Sequence, residues 1–139
     1  ISLWDIPLLV VVENNFYAQS TPIENNFSGS FKNRAKAFDI NFGQIETNDV
    51  RDIHKTFSKR IEFVRMNQKP HIEVVNTYRL APHSKGDDTR SVNEMKKLRS
   101  NDPLKKIQKV ISNNKEIDIV CNQQIENVFQ LVKSFEDAN

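Results

Sequence analysis

The sequence predicts an α/β fold in which a parallel sheet is flanked by helices and followed by further C-terminal helices. Three observations carry that expectation. "LLVVV", Leu8 to Val12, is a continuous apolar run rich in β-branched residues. The next seventy residues alternate between helical and extended patterns, and beyond Arg90 the pattern is helical throughout. A strand, helix, strand, helix, strand order is built by crossover connections, which join parallel strands and are right-handed.

The first strand, Leu8 to Val12, suits a central position covered on both faces. After a polar loop, "FKNRAKAF" puts Phe31, Ala35 and Phe38 on one helical stripe. "INFGQIE", Ile40 to Glu46, alternates apolar residues with a phase shift at Gly43 and reads as a second strand. Asn48 or Asp49 can cap the next helix, along which Val50, Ile53, Phe57, Ile61 and Val64 recur at helical spacing. Lys69-Pro70 ends it and leads into "HIEVVNTYRL", a third strand predicted to run through Tyr78 and Leu80. "APHSKGDDTR", Ala81 to Arg90, is a loop, and helices are predicted over Ser91 to Arg99, Asp102 to Ile111 and Glu116 to Phe135.

At 139 residues the chain has the size of one domain with one core. A net charge of +2, with lysines spread over the helices, does not form the basic stripe of a nucleic-acid binder. No apolar run has the length of a membrane span. The single cysteine, Cys121, excludes an internal disulfide and is expected in the core.

In an open parallel sheet ligands bind beyond the carboxyl ends of the strands. Three polar segments fall at that edge: Glu13-Asn14-Asn15, Asn48-Asp49, and His83 to Asp88. Asparagine and backbone oxygens suit Mg²⁺, so Asn14 or Asn15 is a candidate ligand, although an Asn pair after a strand is also the composition of an ordinary turn. His83 could donate to a phosphate or handle a proton near neutral pH, or be a solvated loop histidine. His54 and His71 have no evident partner in the sequence and read as structural. Asp87 and Asp88, with Arg79 and Arg90, could form an ion-paired loop that orders on binding.

"ENNFYAQSTP", followed in order by "RAKAF", "NDV", "TYRL", "HSKGDD" and "DPL", resembles the alpha subunit of the thiamine-diphosphate-dependent decarboxylating component of 2-oxoacid dehydrogenase complexes. The matches run from Trp4 to about Leu104. Pyruvate, branched-chain 2-oxoacid and acetoin dehydrogenases belong to that family, and "HSKGDD" looks most like its branched-chain or fused alpha-beta types.

The resemblance implies a Rossmann-like thiamine-diphosphate-binding fold spanning residues 1–139. It implies that Asn15, through its side chain, and Tyr17, through its backbone carbonyl, hold the Mg²⁺ that binds the cofactor diphosphate. His83 is expected near that diphosphate and the reaction centre as the catalytic residue, with Ser84 beside it in the cofactor-binding loop. Asp87, Asp88 and Arg90 are expected in a loop that orders around the cofactor and meets the lipoyl domain of the acyltransferase component. The implied chemistry is oxidative decarboxylation of a 2-oxoacid with a lipoyl disulfide as acceptor.

The implied assembly is a heterotetramer with a beta subunit, which supplies the glutamate that activates the cofactor. The location would be the cytoplasm, or the mitochondrial matrix of a eukaryote. No nucleic acid or membrane partner is implied. The family's "GDG" segment, which supplies a metal-binding Asp, precedes "ENN" by more residues than stand before Asn14 here. The chain is therefore expected to be the C-terminal two thirds or so of such an alpha subunit, with half of its Mg²⁺ site. A truncated, inactive relative that keeps the fold and the subunit-binding surface is the alternative. Thr47 and Asp39 stand where family members often carry glycine, and threonine resists the left-handed turn that glycine allows.

Overall fold

The computed structural model describes residues 1–135, which fall into two compact units divided between Pro103 and Leu104. In the first, β1 (Leu9–Asn14), β4 (Asn41–Ile45) and β5 (His71–Asn76) form a wholly parallel sheet in the order β1-β5-β4. Helices α1 (Phe31–Ala37) and α2 (Val50–Asn67) make the crossovers, so the expected alternation is present. A short antiparallel pair, β2 (Tyr17–Ala18) and β3 (Thr21–Pro22), is inserted after β1. Helices α3 (Val92–Ser100) and α4 (Pro103–Gln108) follow. The second unit is dominated by α5 (Asn114–Lys133).

The strand order corrects one expectation. The chain passes from β1 to β4 and then returns to lay β5 between them, so β5 is the central strand. Among the described residues β1 pairs only with β5, and its Val11 side is exposed. The buried apolar set is Ala35, Ile45, Val64, Val74, Val75 and Met95, carried by α1, β4, α2, the central strand and α3. The third strand is shorter than predicted because its neighbours end beside it: β1 stops at Asn14, opposite Asn76, and β4 at Ile45, opposite Val75. "TYRL" therefore runs on without a ladder to join.

Local capping follows the sequence closely. Ser30 caps α1 by accepting the Asn33 amide, and Ser91 caps α3 by accepting the Glu94 amide. Of the two candidates for α2, Asp49 is the cap, its Oδ1 accepting the Arg51 amide at 3.0 Å. Asn48 instead donates to the Asn101 carbonyl at 2.5 Å and to Tyr78 Oη. Asp39 does adopt the left-handed conformation (φ 55°). Thr47 does not, and its hydroxyl accepts the Asp49 amide at 3.0 Å, so its turn needs no glycine.

The apolar residues of α5 are exposed, and Cys121 among them is exposed rather than in a core. No helix of the described residues is long and apolar enough to cross a membrane.

Candidate functional site

The carboxyl ends of the three parallel strands converge on one edge, and the chain leaves β1 there through two consecutive side-chain turns. Asn14 Oδ1 accepts the Phe16 amide at 3.2 Å, and Asn15 Oδ1 accepts the Tyr17 amide at 2.9 Å. This places Phe16 in the left-handed region (φ 65°), and Gln19 (φ 56°) turns the chain again into β3. The strand pair was invisible in the sequence because neither left-handed position is a glycine.

A cleft of about 250 Å³ opens beside this turn. Asn14, Asn15 and Tyr17 line its polar side, and Ile23, Phe27 and Phe31 its apolar side. Both sequence-predicted cation ligands thus face one cavity. Their donors are an amide oxygen and a backbone carbonyl, the hard oxygens Mg²⁺ takes, and Asn15 Oδ1 keeps a second lone pair beyond its hydrogen bond to Tyr17. The described residues hold no cluster of three or more His, Cys, Asp or Glu side chains fit to bind a metal. A cation at this turn would complete its shell from phosphate oxygens or water.

Arg90 organises the loop that follows β5. Its guanidinium, almost fully buried, grips both carboxylate oxygens of Asp88 at 2.8 Å. It also donates to the carbonyls of Arg79 at 2.6 Å and Ala81 at 3.2 Å. The Arg90 hydrogen bonds hold the Asp88 carboxyl down to about 2, and the carboxylate in turn raises Arg90. The loop reaches the strand pair through three contacts. Arg79 donates to the Gln19 carbonyl, the Arg90 guanidinium carbon lies 5.8 Å from the Tyr17 ring centre, and Tyr17 Oη donates to Glu94 Oε1 at 3.4 Å. Burial and the Glu94 charge together raise the Tyr17 hydroxyl above its ordinary range.

His83, Ser84 and Asp87 form a separate cluster within that loop. Gly86 takes the left-handed conformation (φ 81°) that closes the turn. Asp87 Oδ1 accepts the Ser84 amide at 2.9 Å. His83 Nδ1 lies 2.8 Å from Ser84 Oγ and 3.5 Å from Asp87 Oδ2, a buried oxygen without a hydrogen-bond partner. The hydrogen bond at His83 Nδ1 is to Ser84, and Asp87 acts on that neighbour by holding the Ser84 amide. Among the described residues no hydrogen bond joins His83 to Asn15 or Tyr17; Arg79, Arg90 and Glu94 are side chains that link the segment after β5 to the strand pair.

Sequence reasoning missed two further features. Asn76, at the end of β5, bridges Asn14 and Glu46, tying all three strand ends together. His71 has a partner after all, the buried carboxylate of Glu73, two residues along the same strand. A histidine and an acid alternating on one strand face carry a weak signal of this kind, visible only once that face is known to be covered.

A parallel α/β sheet with polar turns gathered at its carboxyl edge defines a class of protein that binds ligands at that edge. The chain belongs to the dehydrogenase E1 component family, whose model matches residues 2–135. It is 29% identical over 143 residues to the pyruvate dehydrogenase E1 component subunit alpha of Rickettsia prowazekii, covering 98% of this chain and 44% of that protein. To the same subunit of Rickettsia felis it is 31% identical, covering 95% and 42%. To that of Rhizobium meliloti it is 33% identical, covering 76% and 32%. The chain thus spans less than half the length of these relatives, a smaller share than the two thirds expected.

Proposed function

We propose that the chain is part of the alpha subunit of a thiamine-diphosphate-dependent 2-oxoacid dehydrogenase, carrying one half of the site for Mg²⁺ and the cofactor diphosphate. The observation that supports this best is the Asn15–Tyr17 turn. A residue pair expected from the resemblance to supply two oxygen ligands lines one cleft, at the strand edge where this sheet class binds ligands. Asn15 would offer its side-chain oxygen and Tyr17 its backbone carbonyl. The bound cofactor supplies the electron sink for decarboxylation. The protein's own part is to position and to exclude water.

In this reading His83 stands near the diphosphate and the reacting carbon, with Ser84 beside it in the cofactor-binding loop and in hydrogen-bond contact with its Nδ1. Asp88 and Arg90 hold that loop in shape where a lipoyl domain would approach. A beta subunit would complete the site, and the lipoyl disulfide would be the acceptor. The names of the relatives favour pyruvate as the 2-oxoacid over a branched-chain substrate. The bacterial relatives favour a cytoplasmic location.

The test is calorimetry on the polypeptide that contains this chain, assembled with a beta subunit. Thiamine diphosphate with Mg²⁺ binds, and Asn15→Ala abolishes or strongly weakens binding. No binding, or binding indifferent to that substitution, overturns the reading and favours an inactive relative that keeps only the fold and a subunit-binding surface.

A further inference from the structure

The three parallel strands end in a continuous chain of side-chain hydrogen bonds. The Phe16 amide donates to Asn14 Oδ1 at 3.2 Å, and Asn14 Nδ2 donates to Asn76 Oδ1 at 2.9 Å. Asn76 Nδ2 then donates to Glu46 Oε2 at 2.7 Å, and Gln44 Nε2 donates to Glu46 Oε1 at 2.6 Å. Every donor along the chain is directed toward the Glu46 carboxylate. Asn14 and Asn76 are also backbone register partners in β1 and β5, so the side-chain bond crosses the sheet at a fixed position.

A carboxamide has two ends, one donating and one accepting, and a turn held by it needs the correct end forward. An ionised carboxylate only accepts, so Glu46 compels Asn76 to present its nitrogen. With its nitrogen turned to Glu46, Asn76 turns its oxygen to Asn14, which answers with its own nitrogen. That leaves Asn14 Oδ1 for the Phe16 amide and sets the left-handed turn at Phe16, the residue between Asn15 and Tyr17.

We propose that Glu46 and Asn76 are positioning residues that act through Asn14 to fix the Asn15–Tyr17 turn. The turn's role as a cation site rests on the function proposed above; the relay itself does not. Neither residue lies near Asn15 in sequence: Asn76 is 62 positions from Asn14, and Glu46 is 30 positions from Asn76. Outer partners of this kind decide whether a ligand oxygen is held where a cation needs it.

The experiment is NMR on the 139-residue chain without ligand. Asn76→Asp sets two carboxylates together where the donor now lies 2.7 Å from its acceptor, and their repulsion turns residue 76 away from both Glu46 and Asn14, so that the Phe16 backbone amide and Asn14 carboxamide resonances shift, although residue 76 has no hydrogen bond to Phe16. Glu46→Ala, at an exposed position, shifts the same resonances by freeing Asn76 to turn over. Glu46→Gln leaves them in place, because a carboxamide there can still face Asn76 with its oxygen. The double variant Glu46→Gln/Asn76→Asp restores them, since a carboxamide donor now meets the carboxylate, which still accepts from Asn14. A role in packing alone leaves Phe16 unmoved by the isosteric Asn76→Asp. That result, or a double variant that fails to restore the Phe16 resonance, overturns the relay.

A second measurement separates the relay from the cation reading. In the assembled enzyme, electron paramagnetic resonance of Mn²⁺ bound with thiamine diphosphate shows Asn76→Asp weakening binding about tenfold, with recovery in the double variant. If the NMR series holds and Asn15→Ala leaves Mn²⁺ binding unchanged, the cation reading falls and the relay stands. If Asn15→Ala abolishes binding while Phe16 ignores Glu46 and Asn76, the relay alone falls.

Discussion

The carboxylate of Glu73 occupies the space that a side chain at residue 43 would need: a Cβ on Gly43 would lie 2.2 Å from Glu73 Oε2. The two residues are register partners on the neighbouring strands β4 and β5. Glu73 is fully buried on the central strand, and its Oε2 takes hydrogen bonds from Arg60 Nε at 2.6 Å and shares one with His71 Nε2 at 2.9 Å. The glycine that shifts the apolar phase of the second strand is thus the vacancy into which a buried ion pair fits.

Gly43→Ala is therefore expected to destabilise the fold by about 1–3 kcal/mol, the usual cost of overpacking a filled interior. A carboxylate at the end of a free side chain would swing away at little cost. This one is held by α2 through Arg60 and by its own strand through His71. Urea denaturation measures the loss, and Glu73→Ala in the same chain should make the second substitution nearly silent, a coupling that two independent sites would not show.

Arg60→Met keeps the apolar stem of the side chain but strips the cation from a fully buried acid. Breaking such a pair from one side costs about 3–5 kcal/mol, because the remaining charge has lost its partner and has no water. Arg60 is itself about one third exposed, so the lower end of that range is expected. Glu73→Gln added to Arg60→Met should recover part of the loss in the same denaturation experiment. A variant as stable as the parent would show that the pair does not hold α2 to the sheet.

Helix α2, the first strand and the run from His71 were legible because each is long or continuous enough for periodicity to identify it. Which strand is central was not legible. A continuous apolar run is equally consistent with β1 or β5, and only the direction of the crossover from β4 places β5 in the middle. At the site, the polar turn at Asn14 and Asn15 was legible as a turn, whereas Tyr17 entered only through the family resemblance. Glu46 and Asn76 were not, because their bond exists only after two strands have been set side by side. The apolar face of α5 misled in the other direction, since helical spacing reports a face and says nothing of what covers it.

The Asp88–Arg90 pair should give the loop a pH-dependent stability with a definite sign. The native carboxyl titrates at about 2 instead of its ordinary 3.8, so the folded loop favours the ionised form. Its contribution is complete above about pH 4 and is lost as pH falls toward 2. Asp88→Asn removes it at every pH. The melting temperatures of parent and variant should differ by a constant amount from neutrality down to about pH 4 and converge below that. A gap that stayed open at pH 2 would assign the effect to shape. At neutral pH the variant should also be cut faster by trypsin at Lys85, where the loop lies outside regular structure.

Tyr17 and Asn15 separate a side-chain role from a backbone one. If the Tyr17 carbonyl is the group that matters, Tyr17→Phe should leave binding of thiamine diphosphate and Mg²⁺ intact. It should cost no more than about 0.5–1 kcal/mol of stability, the scale of one partly exposed hydrogen bond. The lost bond is the long one to Glu94, and the ring that meets Arg90 is retained. Asn15→Ala removes both the oxygen offered to a cation and the acceptor for the Tyr17 amide. Calorimetry on the assembled enzyme should therefore split the two variants, with binding kept in Tyr17→Phe and lost in Asn15→Ala. Equal losses would mean that the phenol itself reaches the ligand, and the cleft beside the turn would then be recognising something other than a diphosphate-bound cation.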